Sequence, residues 1–379
     1  MKILRFDYEE YPDSDRCWSV TGLELGAINL LVGRNATGKS RTLAALNSFA
    51  AMLRGGSIMM GQWKILAEDQ GQQIRIELAV ESRRVLREEL RIGDDVRLTR
   101  NELGVGKIYY QSLEKSLDFE VAPHTLAMAS KRDKMQHSYL ESLNRWAEGE
   151  RLFCFGDTMG REVLIVEIEG QNAQPSPFET AKLPVLARQA FRSEHRDAVV
   201  ERVKEDMLAV GYAIDGLEWG PVQDYRGLGE SRAILVHERG LPSAIPHMSL
   251  SQGMFRALAI FMHLHYILLD GSPTCILIDD IGEGLDYSRA TALIRRLIER
   301  VRERDGADIQ LVMTTNDQFV MNAVDLKYWS VIVREGSECR VLNERNSKKI
   351  FDDFRFIGLN NFDFLEMEFW NREPDLDPA

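Results

Sequence analysis

The sequence predicts an α/β fold on a mixed sheet, and three observations predict it. An apolar run at 27–32 passes through a glycine loop into a helical pattern at 41–53. A second apolar run, Thr274 to Ile278, ends in the carboxylates of Asp279 and Asp280 and precedes another amphipathic stretch. Between them, Gln73-Ile74-Arg75-Ile76-Glu77-Leu78-Ala79-Val80 alternates polar and apolar residues. Strands buried on both faces read as unbroken apolar runs, whereas antiparallel strands with one wet face alternate. The chain carries both kinds.

The elements follow in order. Met1 to Phe6 and Cys17 to Val20 read as first strands. Gly33-Arg34-Asn35-Ala36-Thr37-Gly38-Lys39-Ser40 is a complete G-x-x-x-x-G-K-[ST] loop. A strand, a glycine loop and a helix start aim backbone N–H groups at a polyphosphate. Gly33 and Gly38 permit backbone angles and close approach that a side chain would block. Lys39 is expected to reach the β- and γ-phosphates and the Ser40 hydroxyl to take one Mg²⁺ position. Asn35 and Arg41 flank them as further nucleotide-binding candidates. The bland alternative, a glycine turn before an ordinary helix, does not explain both flanks. The expected ligand is a nucleoside triphosphate.

Further strands are expected around Ile65, from Val96 to Leu98 and from Lys107 to Tyr110. Residues 125–150 and 178–211 read as helical, with Pro175 and Pro177 at the entry to the second stretch. Residues 212–240 return to strands, ending at Ala233 to His237. Met248-Ser249-Leu250-Ser251-Gln252-Gly253-Met254 then precedes an apolar helix from Phe255 to Leu269. After the Asp279-Asp280 strand come Gly284-Leu285-Asp286 and an amphipathic helix from Ser288 to Arg304. A strand from Asp308 to Met313 leads into Thr314-Thr315-Asn316-Asp317, and a hairpin pairs Trp329 to Arg334 with Cys339 to Asn343. This divides the chain into an N-terminal lobe at 1–120, a helical arm region at 121–215, a C-terminal lobe at 216–345 and a tail at 346–379.

The order of these motifs resembles the ABC-type ATPases: a Walker A loop, an L-S-x-G-x signature, a Walker B strand, then a loop carrying L-D. Asp280 and Asp286 are six positions apart, as the catalytic carboxylate and loop aspartate are in that family. The resemblance implies a P-loop fold with an antiparallel β subdomain and a helical, signature-bearing subdomain. It implies that Asp279 binds Mg²⁺ at the sheet edge and that Asp280 orients or deprotonates the attacking water. Most of the family has Glu there; the shorter Asp, in a doublet also found in RecF-like members, puts the rate in doubt. Glu283 is a fallback base. Ser251 and Gly253, at a helix start, would meet the γ-phosphate held by a second subunit, with Asp286 crossing the same interface. One Walker A and one signature per chain thus imply a head-to-tail homodimer around two ATP sites. Where the family usually has a histidine sensor, this chain has Asn316, which can donate a hydrogen bond but carries no charge. Gln62 and Gln111 both stand as candidates for the glutamine loop.

Composition bounds the partners. The net charge is −12, from 47 basic and 59 acidic residues. Nucleic-acid binders usually carry a basic stripe; local clusters exist at Arg83-Arg84, Arg97 to Arg100, Lys131-Arg132-Lys134 and Arg295 to Arg304. The last alternates with Glu299 and Glu303 and reads as a solvated helix face. Nucleic acid is therefore possible but not indicated. No run has the length and apolarity of a membrane span, no signal peptide is seen, and four scattered cysteines suit a reducing cytoplasm. His263 and His265 would diverge by about 200° on a helix, which argues against a metal pair. No sustained heptad run suggests a long rod.

The motif set, without a coiled coil or a nuclease constellation, is similar to the OLD/RecF-like branch of AAA-annotated bacterial ATPases over roughly 1–345. That resemblance implies a separate effector protein as partner, in antiphage defence or a toxin–antitoxin-like system. A DNA-clamping repair ATPase and a slowly hydrolysing ATP-gated scaffold stay open beside it. The tail, dense in aromatic and acidic residues, either packs on its own lobe or offers Phe362, Phe364 and Trp370 as docking anchors.

Overall fold

A computed structural model describes residues 1–167, 182–226, 230–271, 273–303 and 309–371. Pro175, Pro177, residues 178–181, Arg304 and Asp308 lie outside the described residues. Fourteen described strands join one sheet. At one end it is parallel: Arg151–Cys154, Thr274–Asp279, Ile309–Thr314, Ile28–Val32 and Trp329–Glu335, in that order. The hairpin Trp329–Glu335 and Glu338–Asn343 then hands over to Trp18–Glu24, Lys2–Glu10 and an antiparallel meander. The meander runs through Gly61–Asp69, Gln72–Glu81, Arg84–Ile92, Asp95–Arg100, Val105–Tyr110 and Lys115–Glu120. The strands at 84–92 and 115–120 escaped the sequence reading: Arg87-Glu88-Glu89 interrupts the alternation of the first, and the second carries only Leu117 and Phe119 as apolar residues.

The sheet separates two cores, and the period of two explains how. Leu30, Val32, Ile276, Ile278, Leu311 and Met313 face one core, while Leu31, Cys275, Leu277 and Val312 face the other. Helix Lys39–Leu53 and helix Glu141–Gly149 fill the second core, where the Trp63 indole donates to the Ala45 carbonyl at 3.0 Å. The first core is centred on Gln252–Asp270, a helix buried almost all round, as a central core helix is. Leu183–Arg192 and Arg196–Ala209 pack on it, with Tyr287–Arg302 beside them. Residues 141–149 and 183–209 thus pack in different cores. A small antiparallel sheet of Ile165–Glu167, Glu230–Glu238, Ile214–Arg226 and Ile245–Pro246 covers this side.

The tail resolves toward its own lobe. Helices Lys348–Ile357 and Asn361–Glu366 bury Phe351, Phe354 and Phe364 against Trp329 and Phe369. The Phe364 and Trp370 rings meet at 5.8 Å, tilted by 42°, so they serve the core and are not free docking anchors. Phe362 packs against the same core. Among the described residues no helix is long and apolar enough to cross a membrane.

Candidate functional site

The loop from Gly33 to Gly38 sits at the carboxyl end of its strand, where open α/β sheets bind ligands. Two glycines are dictated by contact. A Cβ on Gly33 would lie 2.7 Å from the Ile332 carbonyl oxygen, and one on Gly38 2.5 Å from the Trp18 ring. Gly38 also has φ of +101° and serves as the helix N-cap. Lys39 is buried and donates to the Gly33 carbonyl at 2.8 Å and the Arg34 carbonyl at 3.1 Å. Burial pushes its ammonium below the usual lysine value, with Asp280 and Asp279 opposing the shift. Ser40 is exposed in the first helical turn, and Asn35 is exposed on the loop.

Arg41 points away along the helix, over the Trp18 ring at 4.6 Å and ion-paired with Glu10. Arg34 pairs with Glu368 at 2.9 Å, which brings the tail against the phosphate loop.

The Walker B turn lies beside the loop. Thr314 Oγ1 donates to Asp279 Oδ1 at 2.6 Å and accepts from the Asp280 amide at 2.9 Å. Asn316 Nδ2 donates to Asp280 Oδ1 at 3.1 Å, so the structure brings these two predicted residues together. Asp280 has φ of +54°, a left-handed conformation that aspartate tolerates better than most residues. Burial pushes its carboxyl up, with the Asp279 and Glu283 carboxylates adding to the shift and Lys39 opposing it. Glu283 is exposed, three residues on in the turn.

The signature residues form a second cluster. Ser251 caps Gln252–Asp270, accepting from the Met254 amide at 3.3 Å, so the helix starts three residues before Phe255. A Cβ on Gly253 would meet Leu285 Cδ2 at 2.6 Å and the Tyr212 hydroxyl at 2.8 Å. Buried Arg256 donates to the Glu283 carbonyl and lies over Phe155 at 5.4 Å, locking the signature helix to the Gly284-Leu285-Asp286 loop. Asp286 caps Tyr287–Arg302: its Oδ1 accepts from the Arg289 amide at 3.0 Å and the Ser288 hydroxyl at 2.6 Å. Oδ2 pairs with Arg289 at 2.8 Å. The Ser288 and Arg289 hydrogen bonds hold this exposed carboxyl at about 2.

Toward the far ends of the same two helices lies a network that charge patterning did not reveal. Asp206, fully buried, takes His265 Nε2 at 2.6 Å, Arg296 Nε at 2.6 Å and Arg300 Nη2 at 2.8 Å. The helix read as a solvated face therefore turns two of its arginines inward. His263, against Phe153, has no part in this network.

With this geometry in place, solved structures can be compared. An SMC head bound to the C-winged helix domain of ScpA matches at TM-score 0.52 and 11% identity, over 92% of this chain and 100% of that one. The chain has the fold of an SMC head domain. The SMC head domain from Thermotoga maritima matches at TM-score 0.43 and 12% identity, covering 90% of this chain and 99% of that chain. CbiO1 from Clostridium perfringens, part of the ABC transporter complex CbiONQ, matches at 0.41 and 14%, over 94% of each chain. The fold assignment, an α/β P-loop architecture with a large mixed sheet, rests on the first of these. No protein-family model matches the chain, and no curated protein matches it.

Within the fold, Gln62 lies in a meander strand opposite Glu9 and Ala79, and Gln111 starts a short turn bonded to Gln136. Sequence reasoning missed the loop after Arg151–Cys154. Cys154 pairs with Asp279, and the Phe155 amide donates to the Asp279 carbonyl at 3.0 Å. Burial pushes the Cys154 thiol up to about 11, with Asp279, Asp157 and Asp280 adding to it. Thr314 was also missed, because its partner Asp279 lies 35 positions away.

Mg²⁺ fits the donor set. Ser40 offers an exposed hydroxyl, and Asp279 offers a half-buried carboxylate with one oxygen already oriented by Thr314. Hard oxygen donors of this kind, completed by phosphate and water, are what Mg²⁺ takes.

Proposed function

We propose that the chain is an ABC-type, Mg²⁺-dependent ATPase of the OLD/RecF-like branch that works as a head-to-tail homodimer. The observation that carries the catalytic part is the convergence of the glycine loop, Lys39, Asp280 and Asn316 at one sheet edge. In this reading the loop amides and the Lys39 ammonium bind the triphosphate, and Gly33, Asn35 and Gly38 let its backbone wrap the phosphates. Asp280 orients the attacking water and accepts its proton, while the Asn316 amide fixes the carboxylate that does so. Bound by Ser40 and Asp279, Mg²⁺ would neutralise charge on the phosphate oxygens.

The dimer is supported by the second cluster. Ser251 and Asp286 are exposed, and buried Arg256 braces their two elements together. A helix N-terminus with a free face suits a γ-phosphate presented by another copy.

A separate effector protein, gated by ATP-driven closure and opening in antiphage defence or a toxin–antitoxin-like system, is the preferred partner. What supports protein over duplex DNA is the fate of the basic clusters. Arg97 pairs with Asp95, Arg100 with Glu88, Arg132 with Glu148 and Lys134 with Glu141. Cations already neutralised within the chain release few counterions from DNA. The shorter Asp280 and the uncharged Asn316 favour, as a second reading, a scaffold that hydrolyses slowly.

Mg²⁺-ATP turnover with and without duplex DNA, beside Lys39→Ala, tests these readings. The proposal expects turnover that Lys39→Ala abolishes and DNA leaves unchanged. Stimulation by DNA, lost at high salt, would replace the effector reading with a DNA clamp. ATP-dependent dimers with almost no turnover would favour the scaffold, and absence of nucleotide binding would overturn the whole assignment.

A further inference from the structure

The backbone pairing between the Walker B strand and Ile309–Thr314 ends at Ile278 opposite Met313. Beyond it, three consecutive residues carry the contact forward. The Thr314 carbonyl accepts from the Ile281 amide at 2.9 Å, Thr315 Oγ1 donates to the Ile281 carbonyl at 3.0 Å, and Asn316 reaches Asp280. Thr314 stands at the centre, fully buried, with its own strand paired to the Walker A strand through Leu31. A hydroxyl has a single proton and two lone pairs. Here the proton goes to Asp279 Oδ1 and a lone pair takes the Asp280 N–H, so the direction of both bonds is fixed. The β-branch of threonine restricts its rotamer and holds that oxygen in place.

We infer that Thr314 is the positioning residue of the catalytic turn. Its hydroxyl aims the Asp279 carboxylate at the metal and pins the Asp280 backbone in its left-handed conformation. The inference rests on the ATPase reading. It adds that one buried oxygen couples the metal-holding residue to the water-orienting one, so losing that oxygen weakens both roles together. Partners that orient metal ligands typically change metal affinity or activity by about ten- to hundredfold when removed.

The test is nucleotide binding, followed with a fluorescent ATP analogue while Mg²⁺ is titrated and again in EDTA, with turnover and thermal melting in parallel. Thr314→Val, which keeps shape but lacks the hydroxyl, should raise the Mg²⁺ needed for half-saturation by roughly tenfold or more and leave EDTA affinity unchanged. Thr314→Ser, which keeps the hydroxyl but loses the branch that restricts it, should stay much closer to wild type than Thr314→Val. In an Asp279→Asn background, Thr314→Val should add no further shift in Mg²⁺ dependence, because contacting residues are not additive. An unmoved Mg²⁺ requirement, an equal loss in EDTA, or full additivity with Asp279→Asn overturns the inference. If Thr314→Val melts below the assay temperature, Thr314→Ser decides: a loss matching Asp279→Asn contradicts the hydroxyl role. Wild type that binds nucleotide without Mg²⁺ dependence sinks the ATPase reading first and this inference with it. Normal wild type beside an indifferent Thr314→Val sinks the inference alone.

Discussion

The phosphate loop and the signature cluster use the same device, a strand-end or loop turn feeding a helix N-terminus, yet they are finished differently. Around the loop, polar groups point inward and satisfy one another: Lys39 on loop carbonyls, Thr314 on Asp279, Asn316 on Asp280. In the signature cluster the bracing lies behind, through Arg256, while Ser251 and Asp286 are exposed. A region that satisfies its own polar groups is preorganised to hold a ligand. A region stiffened from behind and open in front is built to meet something else.

That contrast can be broken in order of effect. Asp280→Asn removes the carboxylate proposed to orient water and should lower turnover about a thousandfold while sparing ATP binding; steady-state and binding assays separate the two, and normal turnover would refute the assigned role. Asp206→Ala attacks the packing of the helices that carry the signature side. It strips His265, Arg296 and Arg300 of their shared buried acceptor, leaving the arginines only Glu299, Glu205 and Glu303, and should cost about 3 kcal/mol of stability in denaturant unfolding; a neutral result would mean the network does not hold these helices together. Lys39→Ala should weaken triphosphate binding on the order of a hundredfold, the loss of charge-assisted bonds to phosphate, and calorimetry reads it directly.

Acid should affect the signature side most. Burial pushes His247 down to about 4 and lowers His263 and His265 as well, although Asp206 opposes the shift at His265. Each binds a proton more readily unfolded than folded, so the unfolded state gains protons as pH falls below about 6.5. Stability is then lost between about 6.5 and 4, and Tm should fall by roughly 5 °C between pH 7.5 and 5.5. Burial alone would raise Asp206, but hydrogen bonds from His265 and Arg300 hold it at about 2, so its contribution is lost only as pH falls from about 4 toward 2. A Tm unchanged or higher at pH 5.5 would mean that these histidines are not buried neutral.

The sequence was most legible where one period dominates. Apolar runs at 28–32 and 274–278 fixed the parallel strands, because both faces are buried, and alternation at 73–80 fixed the meander. It was least legible where a polar residue serves a partner far along the chain. Arg296 and Arg300 look solvated beside Glu299 and Glu303, since nothing local announces Asp206, ninety and more positions earlier. Thr314 reads as strand filler until Asp279 is seen against it. The tail was ambiguous for another reason: aromatic density is the same for a core and for a docking strip, and only the burial of Phe364 under Trp329 distinguishes them.

The central claim is that the outward signature face completes a nucleotide site on a second copy. Sedimentation of Asp280→Asn with Mg²⁺-ATP, beside the same variant carrying Ser251→Arg, tests it most directly. The account predicts an ATP-dependent dimer for the first and a nucleotide-bound monomer for the second. A stable ATP dimer in the presence of Ser251→Arg would contradict it.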